Sequence, residues 1–406
     1  MRRALIMLHR WFGLGAALFL FIAGTTGAVI SWDHELDARL NPQLYEAATS
    51  GQPLAPLELA RRIEAADPRV HVSFMPLALE PGEAFVASVE PNIDASTRQP
   101  HAVDYNQVAL DPATGRIQGR RMWGAVSLSR ENLLPFLYKL HYSMHIPDGW
   151  GIELGTWFMG LIAIAWVFDT LIALWISFPN RAAWKRSFAF RWRAGGHRLA
   201  FDLHRSGGVW LFLLVLMIAV TSVSMNLGRE VMRPVVGWFS PLTPSPFDAR
   251  GPDAARAAGP RLPAERVLAL ADAEARRRGW TAPAGGLFLS TAFGIWGVGY
   301  YEPGRSHGDG GLGNPWLYFD MATGAPAGAD VPGSGSAGDI FLQAMFPLHS
   351  GRIIGTTGRV LMSAMGVAVA VLSATGVLIW ARKRRARAVA ARLPAGPNLL
   401  RHSLPE

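Results

Sequence analysis

The 406-residue chain is 50% hydrophobic and 17% charged, a balance that argues for membrane spans alternating with polar inserts rather than a soluble globular protein. It has no cysteine, which excludes iron–sulfur clusters, thiolate-ligated metal centres and disulfides. Its formal charge of +9 gathers beside the apolar runs, which points to a lipid bilayer surface as partner and not to nucleic acid.

The first apolar run, Trp11 to Trp32, has 22 residues without a charged side chain, above the ~20 a helix needs to cross a bilayer core. Met1-Arg2-Arg3 could open a signal peptide, but the run is long for one and Trp32-Asp33-His34 is a poor cleavage site, so a retained helix is expected. The second run, Leu154 to Phe178, is interrupted only by Asp169. The third, Val209 to Leu227, and the fourth, Val360 to Trp380, carry no charge. Arg181, Lys185, Arg186, Arg191, Arg193 and Arg198 lie between runs two and three, and Arg382-Lys383-Arg384-Arg385 follows run four. Short basic loops stay in the cytoplasm. The expected plan is therefore N-terminus and first span (1–32), external insert (33–150), second span (151–178), cytoplasmic basic loop (179–203), third span (204–228), external insert (229–355), fourth span (356–380) and cytoplasmic basic tail (381–406).

The inserts read as α+β. Pro56 to Asp67 has helical spacing of Leu57, Leu59 and Ile63, and strand-like runs follow at 70–74, 85–89 and 108–110. The second insert repeats the plan with a helix at 262–278 and strands at 287–289, 296–300 and 317–319. Each series ends in a turn, Asp111-Pro112-Ala113-Thr114-Gly115 and Asp320-Met321-Ala322-Thr323-Gly324. Residues 241–261 and 303–315, rich in Pro, Gly and Ala, read as linkers or loops.

These landmarks recur at similar offsets: His9 and His204 are 195 residues apart, Asp111 and Asp320 are 209, His141 and His349 are 208, and Thr170 and Thr375 are 205. The chain is expected to be two parallel repeats, each running helix out, external module, helix back in.

A histidine stands near the start of every apolar run: Leu8-His9-Arg10, Leu140-His141, Leu203-His204-Arg205 and Leu348-His349. A single interfacial histidine commonly does no more than solvate or cap, but four at repeat-related positions point to a site. The topology puts His9 and His204 on the cytoplasmic side and His141 and His349 on the external side. Zinc wants three or four ligands and copper often recruits Cys or Met, whereas haem iron needs two axial ligands, so two imidazoles per side suit a haem. Bis-histidine ligation favours electron transfer over oxygen chemistry. Gly13 and Gly15 after His9, Gly207 and Gly208 after His204, and Gly351 and Gly355 after His349 would allow a porphyrin close to backbone, although membrane helices use glycine freely.

His145 follows His141 by four residues and could share its helix face, as a supporting partner, an alternative ligand or a substrate-facing group. Arg10, Arg205 and Arg352 could pair with haem propionates, and Arg10 and Arg205 could equally be positive-inside anchors. Asp169 aligns with Ala374 in the fourth span; it could bond the second nitrogen of a ligand histidine or serve proton transfer. His71, His101 and His307 in the inserts and His402 in the tail read as surface or structural. His34 is an interfacial residue with no assigned partner.

Leu8 to Leu14 (Leu-His-Arg-Trp-Phe-Gly-Leu), Leu140-His141-Tyr142, Leu203-His204-Arg205 and Thr375 to Trp380 (Thr-Gly-Val-Leu-Ile-Trp) resemble the PepSY-associated transmembrane family. The two Asp-x-Ala-Thr-Gly turns resemble the end of the PepSY module. The resemblance implies a four-helix bacterial inner-membrane protein with two periplasmic PepSY-like modules and both termini cytoplasmic. It also implies two b-type haems and, as in some members, an oxidoreductase that reduces a ferric siderophore in the periplasm. Some members are fused to flavin reductase domains. No segment after Trp380 is long enough for one and no Gly-rich dinucleotide fingerprint accompanies a strand–helix unit, so a separate cytoplasmic or quinol electron donor is implied. Two other functions fit the pattern: a non-enzymatic membrane protein whose modules bind a periplasmic partner, and quinol-linked electron transfer to a periplasmic enzyme.

Overall fold

The structure, a computed structural model, describes residues 1–392 except Ala249, His307 and Asp309. His307 and His402 therefore lie outside the described residues. In chain order the main elements are α1 (Arg2–Ile30), α2 (Pro56–Ala66), β1 (Val70–Pro76), β2 (Phe85–Pro91), β3 (Gln107–Leu110), β4 (Ile117–Arg121) and α3 (Leu133–Ser143). They continue with α4 (Leu154–Ser177), α5 (Gly196–Trp210), α6 (Phe212–Leu227), α7 (Ala264–Arg277), β5 (Ala284–Ser290), β6 (Ile295–Tyr300), β7 (Trp316–Asp320), β8 (Pro326–Asp330), α8 (Ala337–Ser350) and α9 (Gly355–Arg392).

Four stretches are long and apolar enough to cross a membrane: Arg2–Ile30, Leu154–Ser177, Phe212–Gly237 and Arg352–Ala391. Helix α1 starts well before the uncharged run, because Arg2, Arg3 and Arg10 continue the helical turn while long stems let their heads reach water. The Arg2 guanidinium donates to Ile176 O at 2.6 Å and so satisfies a carbonyl at the C-terminus of α4. The third span is interrupted: α5 and α6 part at Leu211, and a π-helical turn, Gly228–Met232, follows α6. Helices α1 and α9 cross at glycines. A Cβ on Gly24 would meet Gly366 O at 2.6 Å, so only glycine there permits the approach.

The two inserts do not form separate sheets. Their strands make one eight-stranded antiparallel sheet in the order β4-β3-β2-β1-β5-β6-β7-β8. The seam pairs Phe74 with Phe288, Met75 with Leu287 and Pro76 with Gly286. One core runs across it: Leu59 and Ile63 of α2 and Val267 and Ala271 of α7 pack with Phe85, Val89, Leu110, Leu287, Val298 and Leu317. Each fully buried Leu, Ile, Val or Phe of this layer contributes about 1.5–3 kcal/mol, so a core shared across the seam holds the halves together.

Both Asp-x-Ala-Thr-Gly turns are hairpins. Gly115 and Gly324 take positive φ (69° and 72°), and their N–H groups donate to Asp111 O and Asp320 O. The Asp320 carboxylate also accepts from the Thr323 N–H and hydroxyl and from Arg250. Burial pushes its pKa up, but these bonds outweigh it and hold it at about 2. The turns lead into β4 and β8, the two sheet edges.

The first insert is tied to the helices by polar anchors. Arg359 of α9 donates to Ser31 O at 2.8 Å and to Glu35 at 2.7 Å, and Trp32 Nε1 donates to Ser363 Oγ at 2.9 Å. Arg121 and Asp37 form a buried pair at 2.7 Å, braced by the Tyr45 hydroxyl.

Candidate functional site

The helix ends carrying the basic loop and tail bring His9 of α1 and His204 of α5 together. Their ring centroids are 5.9 Å apart with planes at 48°. At the opposite, sheet-side end, His141 of α3 and His349 of α8 face each other, centroids 6.1 Å apart and planes at 61°. Each pair thus takes one member from either side of the basic loop.

Every ring is held through Nδ1. His9 Nδ1 lies 3.0 Å from both carboxylate oxygens of Asp169 in α4. His204 Nδ1 lies 2.9 Å from Leu372 O in α9, with Thr375 Oγ1 at 3.4 Å. His141 Nδ1 lies 2.9 Å from Ala23 O and 3.2 Å from Thr26 Oγ1, both in α1. His349 Nδ1 lies 3.0 Å from Thr221 Oγ1 in α6. Carbonyls and a carboxylate only accept, and the Thr26 and Thr221 hydroxyls spend their own protons on Ile22 O and Met217 O. Each Nδ1 therefore carries the proton. Each Nε2 is left with its lone pair and has no hydrogen bond among the described residues.

Glycines seat two of the rings. A Cβ on Gly27 would meet His141 Cε1 at 2.9 Å, and one on Gly376 would meet His204 Cε1 at 3.1 Å. These are not the glycines that sequence spacing singled out. Gly13 and Gly15 have open space where a Cβ would go.

The arrangement fits a haem in donor set and spacing. Two metal–imidazole bonds of about 2 Å each, with ring radii of about 1.2 Å at either end, come to ~6.4 Å, close to the 5.9 and 6.1 Å ring separations. A cavity of about 1090 Å³ adjoins the first pair and is lined by His9, His204, Asp169 and apolar side chains including Trp11, Phe12 and Phe212. Arg2, Arg10, Arg205, Lys383, Arg384 and Arg387 also line it, a cationic set suited to carboxylates on an otherwise apolar ligand. The Nε atoms of Arg10 and Arg205 are buried there without a hydrogen-bond partner among the described residues, while their guanidinium groups lie over Trp11 and Phe201. Among the described residues, no group of three or more His, Asp or Glu could hold a bare metal ion.

His145 joins neither pair. Helix α3 ends at Ser143, and Met144 and His145 both take φ of +52°, so His141 and His145 share no helix face. The His145 ring stacks on Phe136 and its Nε2 lies 2.9 Å from Phe136 O. Arg352 is buried in the short turn that follows α8, and its carbonyl accepts from Gly310 N. His71 is buried in the sheet, its Nδ1 3.1 Å from Asn92 Oδ1, and burial lowers its pKa to about 4. His101 lies 4.0 Å from Asp94, and His34 packs edge-on to Tyr45.

Sequence reasoning did not reach Thr26, Thr221, Gly27 and Gly376. The usable signal was present: Thr26 and Thr221 have the same 195-residue offset as His9 and His204.

The family model for the PepSY-associated TM region matches residues 6–383. Comparison with curated proteins finds no match.

Proposed function

The chain belongs to the PepSY-associated transmembrane family, and from that premise we propose that it is a di-haem b electron-transfer protein of the bacterial inner membrane. His9 and His204 would hold one haem, and His141 and His349 the other. The observation that carries this reading is that all four Nδ1 atoms are committed to acceptors while all four Nε2 lone pairs stay available. When bound, the two groups would supply one-electron transfer between the two ends of the bundle.

The chain's own residues do the rest. Asp169, Leu372 O, Ala23 O and Thr221 fix the tautomer and orientation of each ring. Arg10 and Arg205 offer unpartnered buried N–H groups to carboxylates in the cavity. The apolar side chains of the wall, Trp11, Phe12 and Phe212 among them, suit the body of a haem. The repeated offsets and the sheet order support two parallel repeats whose PepSY-like halves share a sheet. The basic loop and tail support a cytoplasmic location for the His9–His204 end and a periplasmic one for the sheet.

A separate cytoplasmic or quinol donor loses one electron, and a periplasmic acceptor gains it. The family likeness favours a ferric siderophore, whose Fe(III) becomes Fe(II) and is then held less firmly by hard oxygen donors. The first test is the visible spectrum of the purified protein. A Soret band that sharpens and splits into narrow visible bands on dithionite reduction is expected, with two haems per chain. A colourless, folded protein would refute the proposal.

A further inference from the structure

Of the four ring anchors, three are neutral oxygens and one is an ion. His204, His141 and His349 give their Nδ1–H to Leu372 O, Ala23 O and Thr221 Oγ1. His9 gives its own to a carboxylate, with both Asp169 oxygens at 3.0 Å. Asp169 is only 8% exposed inside a membrane-spanning helix, where a carboxylate is costly to keep without a task. Its position in the other half is Ala374, so the asymmetry is built into the chain.

Building on the reading that both pairs hold haem, we propose that Asp169 is a positioning residue that lowers the reduction potential of the His9–His204 site. The donor end is thereby set below the acceptor end. A carboxylate on Nδ1–H makes the imidazole a stronger donor through Nε2 and stabilises the more positive, oxidised form of whatever that nitrogen binds. Adding an electron lowers the charge of the site by one, and a buried anion next to the ligand opposes that addition. The cations that line the cavity act in the other direction. They are shared with the carboxylates of the ligand, whereas Asp169 acts directly through the ligating ring. At the sheet-side site, among the described residues, no ion is hydrogen-bonded to either ring. Electrons placed at the basic end would then run downhill to His141 and His349.

The test is spectroscopic redox titration of the full chain in detergent, comparing wild type, Asp169→Asn and Asp169→Glu, with haem content measured first. Wild type should show two midpoints. Asp169→Asn keeps an acceptor but removes the charge; it should raise the lower midpoint by at least the equivalent of a tenfold change in the reduction equilibrium, about 59 mV for one electron, and leave the upper one in place. Asp169→Glu should keep the lower midpoint within about threefold of wild type on the same scale. Unchanged midpoints in Asp169→Asn, movement of the upper midpoint alone, or a Glu variant shifted as far as the Asn variant would overturn the proposal. So would an Asp169→Asn protein that retains one haem only, which would leave Asp169 a structural part. A wild-type protein without haem would instead defeat the di-haem reading itself.

Discussion

Thr26 and Thr221 hold equivalent stations on two different spans: each hydroxyl donates to its own helix backbone and receives the Nδ1–H of a histidine, His141 at 3.2 Å and His349 at 3.0 Å. The stations differ in one respect. His141 has a second acceptor in Ala23 O at 2.9 Å, whereas Thr221 supplies the hydrogen bond of His349. Thr221→Val should therefore weaken haem retention at the sheet-side site by about 10–100-fold, while Thr26→Val should cost roughly tenfold at most. Haem loss to an excess scavenger measures both, and equal losses from the two variants would contradict the asymmetry.

Gly27 and Gly376 are expected to be intolerant of a side chain for reasons local to the rings. Gly27→Val would drive into His141 Cε1, and Gly376→Val into His204 Cε1, while Nδ1 bonding stops either ring from yielding. Each variant should fall from two haems per chain to one. Gly15→Ala, which meets nothing within 4 Å, serves as the control and should keep both. The haem-to-protein ratio with a circular dichroism check of helix content decides the matter.

If the two sites act in series, neither substitutes for the other. His9→Ala or His204→Ala should abolish reduction of an external ferric chelate by an internal donor in oriented vesicles. The sheet-side haem should stay reducible by dithionite added outside. The physical reason is that the remaining gap is a large part of a ~30 Å bilayer core. Wild-type iron release from a His9→Ala protein that demonstrably lacks the basic-end haem would exclude serial transfer.

Topology can be checked independently of any cofactor. A reporter joined after Arg387 should be active only in the cytoplasm, because the 179–203 loop and the residues after Trp380 carry the positive charge. Periplasmic activity of that fusion would invert the assignment of both ends.

The sheet should be acid-sensitive through His71. Burial depresses its pKa from the ordinary 6.5 to about 4, and its Nε2 is buried without a hydrogen-bond partner among the described residues. Between those values the unfolded chain binds the extra proton, so stability present above pH 6.5 is lost as pH falls toward 4. The full effect is on the order of 3 kcal/mol. Glu90, 3.9 Å from His71 and with its own pKa raised by burial, opposes part of the loss at the lower end, and Arg261 adds to the depression. Thermal unfolding followed by the β-sheet dichroism should lose this slope in His71→Gln; an unchanged slope would assign the acid sensitivity to other groups.

The four apolar runs and the histidines near their starts could be read in the sequence because membrane insertion demands long uncharged stretches and because buried ionisable groups stand out within them. The edge strands could not. Ile117–Arg121 and Pro326–Asp330 carry Gly, Pro and charges suited to exposed sheet edges, so they lack the alternation of inner strands. The seam was hidden for another reason: Phe74 and Phe288 each look like ordinary members of their own hairpins, and nothing local tells one exposed edge to seek the other. The 208-residue repeat offset favoured His141 over His145, and the left-handed backbone at Met144 and His145 is what parts the two rings in space. A histidine nitrogen was one of two expected roles for Asp169, but that the histidine is His9, 160 residues away, was visible only in three dimensions.

The β1–β5 seam has a mechanical meaning. Three residue pairs are zipped there, extended by a Leu77 N–H bond to Gly285 O, and each histidine pair draws one member from before the basic loop and one from after it. The seam is thus one clasp, beside the α1–α9 crossing and the Arg359 anchors, on a jaw whose teeth are the four histidines. A force or partner that pried the two halves fully apart would separate both histidine pairs together.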